Sequence, residues 1–161
     1  MIPAPRVEGR YAVALVCLGN ICRSAMADVV LQDRLRQQQQ QQHANTLEIR
    51  SAGTGDWHVG QPMDDRAAAT LSRHGYDPAA HRAQQVGADW LDRFDLVLAM
   101  DESNLHDLGG RSDRVRLFRD FDPAGPGEVP DPYYGGDEGF EEVLAMVERT
   151  ADVLVEELLE P

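Results

Sequence analysis

The stretch YAVALVCLGNICRSA, residues 11–25, runs an apolar segment into a turn that carries two cysteines, a glycine and an arginine. Tyr11 to Cys17 has the length of a buried strand, and Gly19 permits the tight turn that ends it. A helix follows, because Ala27, Val30, Leu31 and Leu35 recur at helical spacing and make one core-facing stripe, with Ser24 as its candidate cap. Strand, turn and helix in this order put the turn at the carboxyl end of a strand, where α/β sheets bind ligands.

The alternation continues along the chain. TLEIRSAGT (46–54) reads as a second strand, MDDRAAATLSRHG (63–75) as a helix closed by Gly75, and FDLVLAM (94–100) as a third strand. DESNLHDL (101–108) starts a helix with Asp101 as its cap, and DRVRLF (113–118) is a fourth strand. The Pro/Gly-rich stretch from Phe121 to Gly136 is a long loop. In the last segment Phe140, Val143, Leu144, Val147, Ala151, Leu154 and Leu158 keep helical spacing over more than four turns. Four strands alternating with helices predict one α/β domain over 1–161 with a parallel sheet and no internal repeat. The glutamine run 37–42 has no packing face and is expected to extend into solvent.

Composition narrows the function. At 161 residues, with 42% hydrophobic and 27% charged residues, the chain can bury a core without disulfides or metals. A net charge of -13 argues against nucleic acid and anionic membrane surfaces as partners, so an anionic ligand must be captured locally. All 15 basic residues are arginine; without lysine there is no phosphate-loop lysine and no Schiff-base chemistry. No segment is long and apolar enough to insert in a membrane, and MIPAPRVEGR lacks the layout of a signal peptide. A cytoplasmic location is expected, with export by a route that needs no signal peptide left open. Two cysteines do not make a disulfide framework, and with five scattered histidines they give a metal site little support.

The turn itself is built for an anion. The residues from Leu18 through Gly19, Asn20, Ile21 and Cys22 to Ser24 lead the chain into the helix, so several backbone N–H groups can point into one concavity, reinforced by the helix N-terminus. The same field favours a thiolate over a thiol. Arg23, six residues after Cys17, can return across the loop and bind two oxygens of a phosphate. Asn20 can tie the loop through its amide, and Ser24 can donate to the sulfur. A thiolate under a bound phosphate is a nucleophile aimed at phosphorus.

CLGNICRS (17–24), SAGT (51–54), MDESN (100–104) and DPYY (131–134) occur in an order and spacing that resemble the low-molecular-weight protein tyrosine phosphatases over essentially the whole chain. The glutamine run and the Pro-rich approach to DPYY depart from that family without touching the catalytic set. The resemblance implies a four-stranded parallel sheet flanked by helices on both faces, no cofactor, and hydrolysis of phosphotyrosine through a phosphocysteine intermediate. It implies that Asp131 protonates the leaving oxygen and later takes a proton from water, its loop folding over the cradle with Pro132 biasing it to an extended backbone. Tyr133 and Tyr134 then wall the cleft, with phosphorylation of either as a second reading, and Trp57 stacks on the substrate ring. His81 braces the cradle through Asn20, while Asp101 and Ser103 cap a helix and support the loop. Substrates are tyrosine-phosphorylated proteins, and inorganic phosphate is the product that competes for the cradle.

Cys22 has two readings: packing, or a disulfide with Cys17 that shields the nucleophile from over-oxidation, and the second is preferred. An arsenate reductase of the same fold would need a further cysteine after Cys22, and the chain has none. A non-catalytic phosphate-binding adaptor would keep Arg23 without needing both Cys17 and Asp131, and a phosphocarrier would gain nothing from a paired acid. If Asp131 is not the acid, Asp137 and Asp122 are the next loop carboxylates to consider.

Overall fold

The computed structural model describes residues 2–38 and 46–159. Four strands, β1 (Arg10–Cys17), β2 (Thr46–Gly53), β3 (Leu96–Ala99) and β4 (Val115–Leu117), form one sheet in the order β2-β1-β3-β4. Every pairing in it is parallel. The helices are α1 (Arg23–Gln37), α2 (Asp65–Arg73), α3 (Trp90–Arg93), α4 (Glu102–Asp107) and α5 (Asp137–Leu159).

Side chains alternate across β1 and so divide the core. Tyr11, Val13, Leu15 and Cys17 face a cluster that includes Val30 and Leu31 of α1 and Phe140, Leu144, Val147 and Leu154 of α5. Ala12, Ala14 and Val16 face the opposite cluster, with Trp90 and Phe94 around α3 and Leu105 and Leu108 around α4. The sheet is thus covered on both sides, which is why β1 is buried over all but its first residue and reads as an unbroken apolar run. Leu15 is fully buried, so truncating it to alanine should cost about 2–5 kcal/mol.

Three local features differ from the sequence reading. The fourth strand is three residues long, and the chain turns at once into a 3-10 helix, Phe118–Phe121. The short α3 carries no periodic signal, yet Trp90 and Phe94 stack at 4.6 Å between centroids and close that face of the sheet. Helix α1 starts at Arg23 with Cys22 as its cap residue and no side-chain capping bond, so Ser24 is not the cap. Gln37 ends α1 and Gln38 follows it, while glutamines 39–42 lie outside the described residues.

The sheet order reverses direction at β1: the chain leaves it for β2 on one side and reaches β3 on the other. The loop after Cys17 therefore opens at the topological switch point, where the neighbouring connections diverge and leave a crevice.

Candidate active site

Cys17 closes β1, and two groups converge on its sulfur: Ser24 Oγ at 2.9 Å and the backbone N–H of Asn20 at 3.3 Å. Asn20 Nδ2 donates to Ser24 Oγ at 2.8 Å, so the serine oxygen accepts from the amide and can turn its own proton to the sulfur or to the Ala52 carbonyl at 3.5 Å. Asn20, not Gly19, is the residue with the left-handed backbone that tightens the loop, at φ 57°. Asparagine tolerates that region better than most residues. Besides its bond to Ser24, two more keep it there or use it: its Oδ1 accepts from the backbone N–H of Gln84 at 3.0 Å, and its carbonyl meets His81 Nε2 at 2.7 Å. A carbonyl only accepts, so Nε2 of His81 carries the proton.

Close packing bears on two glycines. A Cβ on Gly53, at the end of β2, would lie 2.5 Å from the Leu18 carbonyl oxygen. This is why the second strand ends in SAGT: Thr54 and Gly55 then donate their N–H groups to the carbonyls of Cys17 and Leu18, both at 2.9 Å. A Cβ on Gly19 would meet Cδ2 of the His58 side chain at 3.0 Å, so a larger residue there would require that ring to shift.

Arg23 is buried, at 3% exposure, and is anchored from behind. Its Nη1 donates to Asp101 Oδ2 at 2.7 Å and to the Val129 carbonyl at 3.1 Å, while Nη2 sits 3.7 Å from Asp131 Oδ2. Burial works against the guanidinium charge, but Cys17, Asp101 and Asp131 outweigh it and hold the Arg23 pKa above its ordinary value. Asp101 also accepts from Asn104 N at 2.7 Å, capping α4 as predicted. Ser103 is exposed on α4 and takes no part in these bonds.

A cavity of about 420 Å³ opens over the loop. Cys17, Leu18, Gly19, Ile21, Cys22 and Arg23 form its floor, and Trp57, His58, Asp131, Tyr133 and Tyr134 form its walls. Trp57 is 68% exposed and Tyr134 90%, the latter edge-on to Tyr133 at 5.0 Å between ring centroids, so both rings present open surface at the rim, where a substrate ring could displace water. Asp131 Oδ1 accepts from Tyr133 N at 3.1 Å, which folds the DPYY turn on itself and turns Oδ2 toward Arg23. Cys17 and Cys22 are both free thiols. Burial, with the charges of Asp64, Cys17 and Asp131, pushes the Cys22 pKa well above the ordinary thiol value.

The cavity thus gathers the predicted loop, Arg23, Asp131 and the three aromatic residues, with Asn20, Ser24, His81 and Asp101 buttressing the loop from outside it. Sequence reasoning missed His58, whose only signal was its place beside Trp57, and the Val129 carbonyl and Gln84 N–H, which are backbone groups without a side-chain signature. Asp122 is not in the cavity: its buried carboxylate is held by Arg119 Nε at 2.8 Å and Arg149 Nε at 3.0 Å. Among the described residues, no group of three His, Cys, Asp or Glu side chains is placed to hold a metal.

Comparison with known proteins agrees with this arrangement. Residues 12–161 match the model of the low molecular weight phosphotyrosine protein phosphatase family. A low molecular weight protein-tyrosine-phosphatase of Streptomyces coelicolor is 44% identical over 154 residues, covering 90% of this chain and 92% of that protein. Low molecular weight protein-tyrosine phosphatase A of Mycobacterium tuberculosis is 45% identical over 142 residues, 84% of each chain. The crystal structure of a protein tyrosine phosphatase from Entamoeba histolytica, with Hepes in its active site, superposes with a TM-score of 0.83 at 30% identity, covering 92% of this chain and 96% of that one. With the sheet order, the cysteine-arginine loop and the aspartate opposite it, these matches show that the chain belongs to the low molecular weight phosphotyrosine protein phosphatases.

Proposed function

We propose that this chain hydrolyses phosphotyrosine in proteins, and small aryl phosphates, with Cys17 as nucleophile, Arg23 as the phosphate clamp and Asp131 as acid and then base. The observation that carries the reading is the shared cavity: sulfur, guanidinium and carboxylate line one space of about 420 Å³ with aromatic walls. The phosphoryl group rests on the loop N–H groups and on the Arg23 fork, whose orientation Asp101 and Val129 hold. Cys17 attacks phosphorus and Asp131 gives its proton to the departing phenolic oxygen, leaving a phosphocysteine and a carboxylate. Asp131 then takes a proton from water, whose oxygen attacks phosphorus and returns the thiolate. Ser24 and the Asn20 N–H stabilise negative charge on the sulfur at both ends of the cycle.

Trp57, Tyr133 and Tyr134 receive the aryl ring, and Leu18 to Ser24 form the cradle. Inorganic phosphate, which fits the same cradle, is a competing product. Nucleic acid is disfavoured by the net charge of -13. No helix among the described residues is long and apolar enough to cross a membrane. Two free thiols suit a reducing compartment such as the cytoplasm. Cys22 acts as the redox guard of Cys17.

Two variants test the assignment. Cys17→Ser should abolish turnover while vanadate still binds, and substantial remaining phosphatase activity would rule out the thiolate mechanism. Asp131→Asn should slow single-turnover cleavage of a phosphotyrosine peptide by about 100-fold or more, and of a nitrophenyl phosphate far less, because only the basic phenoxide needs the proton. Equal losses on both substrates would remove Asp131 as the acid.

A further inference from the structure

Arg66, in the first turn of α2, lies outside the cavity but reaches the loop that carries Asp131. We infer that Arg66 is the positioning residue that fixes this loop over the phosphate cradle and so sets where Asp131 delivers its proton. The inference rests on the reading of Asp131 as the acid.

Arg66 Nη2 donates to the Tyr133 carbonyl at 2.8 Å and Nη1 to the Gly135 carbonyl at 3.3 Å. Its guanidinium carbon also sits 5.4 Å from the centre of the Tyr133 ring and 4.8 Å from that of Phe140. Among the described residues, the hydrogen bonds joining residues 131–135 to the body of the protein come from this one side chain, while Gly136 O accepts from Gly139 N at the start of α5 at 3.1 Å. The others in the segment, Tyr133 N to Asp131 and Gly135 N to Pro132 O, stay within it. Asp131 Oδ2 also lies 3.7 Å from Arg23 Nη2, a guanidinium for which a bound phosphate would compete.

The far side of the fork is tied to the cradle. Asp64 Oδ1 accepts from Arg66 Nε at 3.3 Å and Oδ2 from Nη2 at 3.2 Å. The backbone N–H of Asp64 in turn donates to the carbonyl of Ile21, within the phosphate loop, at 3.0 Å. A continuous path therefore runs from Ile21 through Asp64 and Arg66 to the residues just after Asp131. It needs a planar fork with several donors in fixed directions, which lysine does not have. The ends of α2 do not depend on it: Asp64 still caps the helix at Arg66 N and Ala67 N, and Ala67 and Leu71 remain buried.

The test compares Arg66→Met and Arg66→Lys with the native enzyme, Asp131→Asn and the double variant Arg66→Met/Asp131→Asn. Single-turnover cleavage is followed on a phosphotyrosine peptide and on a nitrophenyl phosphate, alongside vanadate affinity. Arg66→Met should lose about 10- to 100-fold on phosphotyrosine and several-fold less on the activated ester, with vanadate affinity kept within about twofold. Arg66→Lys, which keeps the charge and most of the packing, should recover part of the loss. The double variant should be no slower on phosphotyrosine than Asp131→Asn alone, because the loss travels through the same proton. Equal losses on both substrates, a matching fall in vanadate affinity, or a further loss in the double variant would overturn the inference. If Asp131→Asn separates the two substrates and Arg66→Met does not, the acid assignment stands and the role of Arg66 falls. If Asp131→Asn fails to separate them, both fall.

Discussion

The Arg23 guanidinium is fixed by Asp101, whose Oδ2 accepts from Nη1 at 2.7 Å while Oδ1 caps α4 through Asn104 N at 2.7 Å. One carboxylate thus ties Arg23, the phosphate clamp of the proposed reaction, to a helix end. Asp101→Asn can keep the cap through its single oxygen, but its NH₂ group then faces Arg23 without accepting from it. Phosphate inhibition should weaken by about tenfold, the scale of one lost charged hydrogen bond, and the same loss at a buried guanidinium should lower the melting temperature. Asp101→Ala should lose the cap as well and melt about 2–4 °C lower. Unchanged phosphate inhibition in both variants would show that Arg23 keeps its aim without this anchor.

Asn20 separates backbone geometry from hydrogen bonding. At φ 57° it pays the cost of a left-handed residue, and its amide joins Ser24 to the Gln84 N–H. Asn20→Gly relieves the backbone but removes both side-chain bonds; Asn20→Ala removes the bonds and strains the backbone too. Both should lower kcat, since Ser24 loses the group that orients it toward Cys17. Alanine should be the less stable of the two by about 1 kcal/mol in urea unfolding. Wild-type kcat in the glycine variant would mean that Ser24 finds the sulfur without Asn20.

What the chain discloses on its own depends on how far apart the interacting groups lie. The strand Tyr11–Cys17, the stripe of α5 and the loop Cys17–Ser24 are local patterns, and the structure has them where the spacing predicts. Asp131 stood out through its resemblance motif rather than through any local physical signal. Ser24 reads both as a cap and as a donor to the sulfur; the contact with Cys17 is present, the cap is not, and the bond from Asn20 Nδ2 to its hydroxyl is seen only in the folded loop. In the sequence Arg66 is one more residue of a helix, because its partners at Tyr133 and Gly135 lie far along the chain and periodicity says nothing about them. Gly53 could be seen as part of a motif, but its reason, the Leu18 carbonyl beside it, is a contact between two loops.

Asp122 gives the fold a definite acid response. Burial raises its pKa, but hydrogen bonds from Arg149, Ala124 N and Arg119 more than reverse this and lower it to about 2. The folded carboxylate therefore binds a proton less readily than the unfolded one, whose pKa is about 3.9. Its stabilisation is fully present above the unfolded value and is lost as pH falls through that value toward the folded one, about 2 kcal/mol in all. Urea unfolding measured from pH 5 to pH 2 should show this loss. Arg149→Met should be less stable at pH 7 and should lose less on acidification, because its Asp122 pKa moves back toward the unfolded value. An acid-side slope identical to that of the native protein would show that this pair does not set the response.

The two thiols differ in a way that assigns them different parts under oxidation. Cys17 receives Ser24 Oγ and the Asn20 N–H, whereas burial and the charges of Asp64 and Cys17 keep Cys22 protonated at neutral pH. Hydrogen peroxide should therefore meet Cys17 first, its thiolate attacking one oxygen and expelling hydroxide to give a sulfenic acid. Cys22 lines the same cavity and can attack that sulfur, forming a disulfide as the sulfenic oxygen leaves as water with the thiol proton. A thiol reductant then restores both residues, because a disulfide is reversible where a sulfinic acid is not. Native enzyme inactivated by peroxide should regain most of its activity in dithiothreitol. Cys22→Ser should regain progressively less as exposure lengthens, with Cys17 accumulating as sulfinic acid by mass spectrometry. Equal recovery of the two proteins, with no Cys17–Cys22 disulfide in the native one, would leave Cys22 as a packing residue at the start of α1.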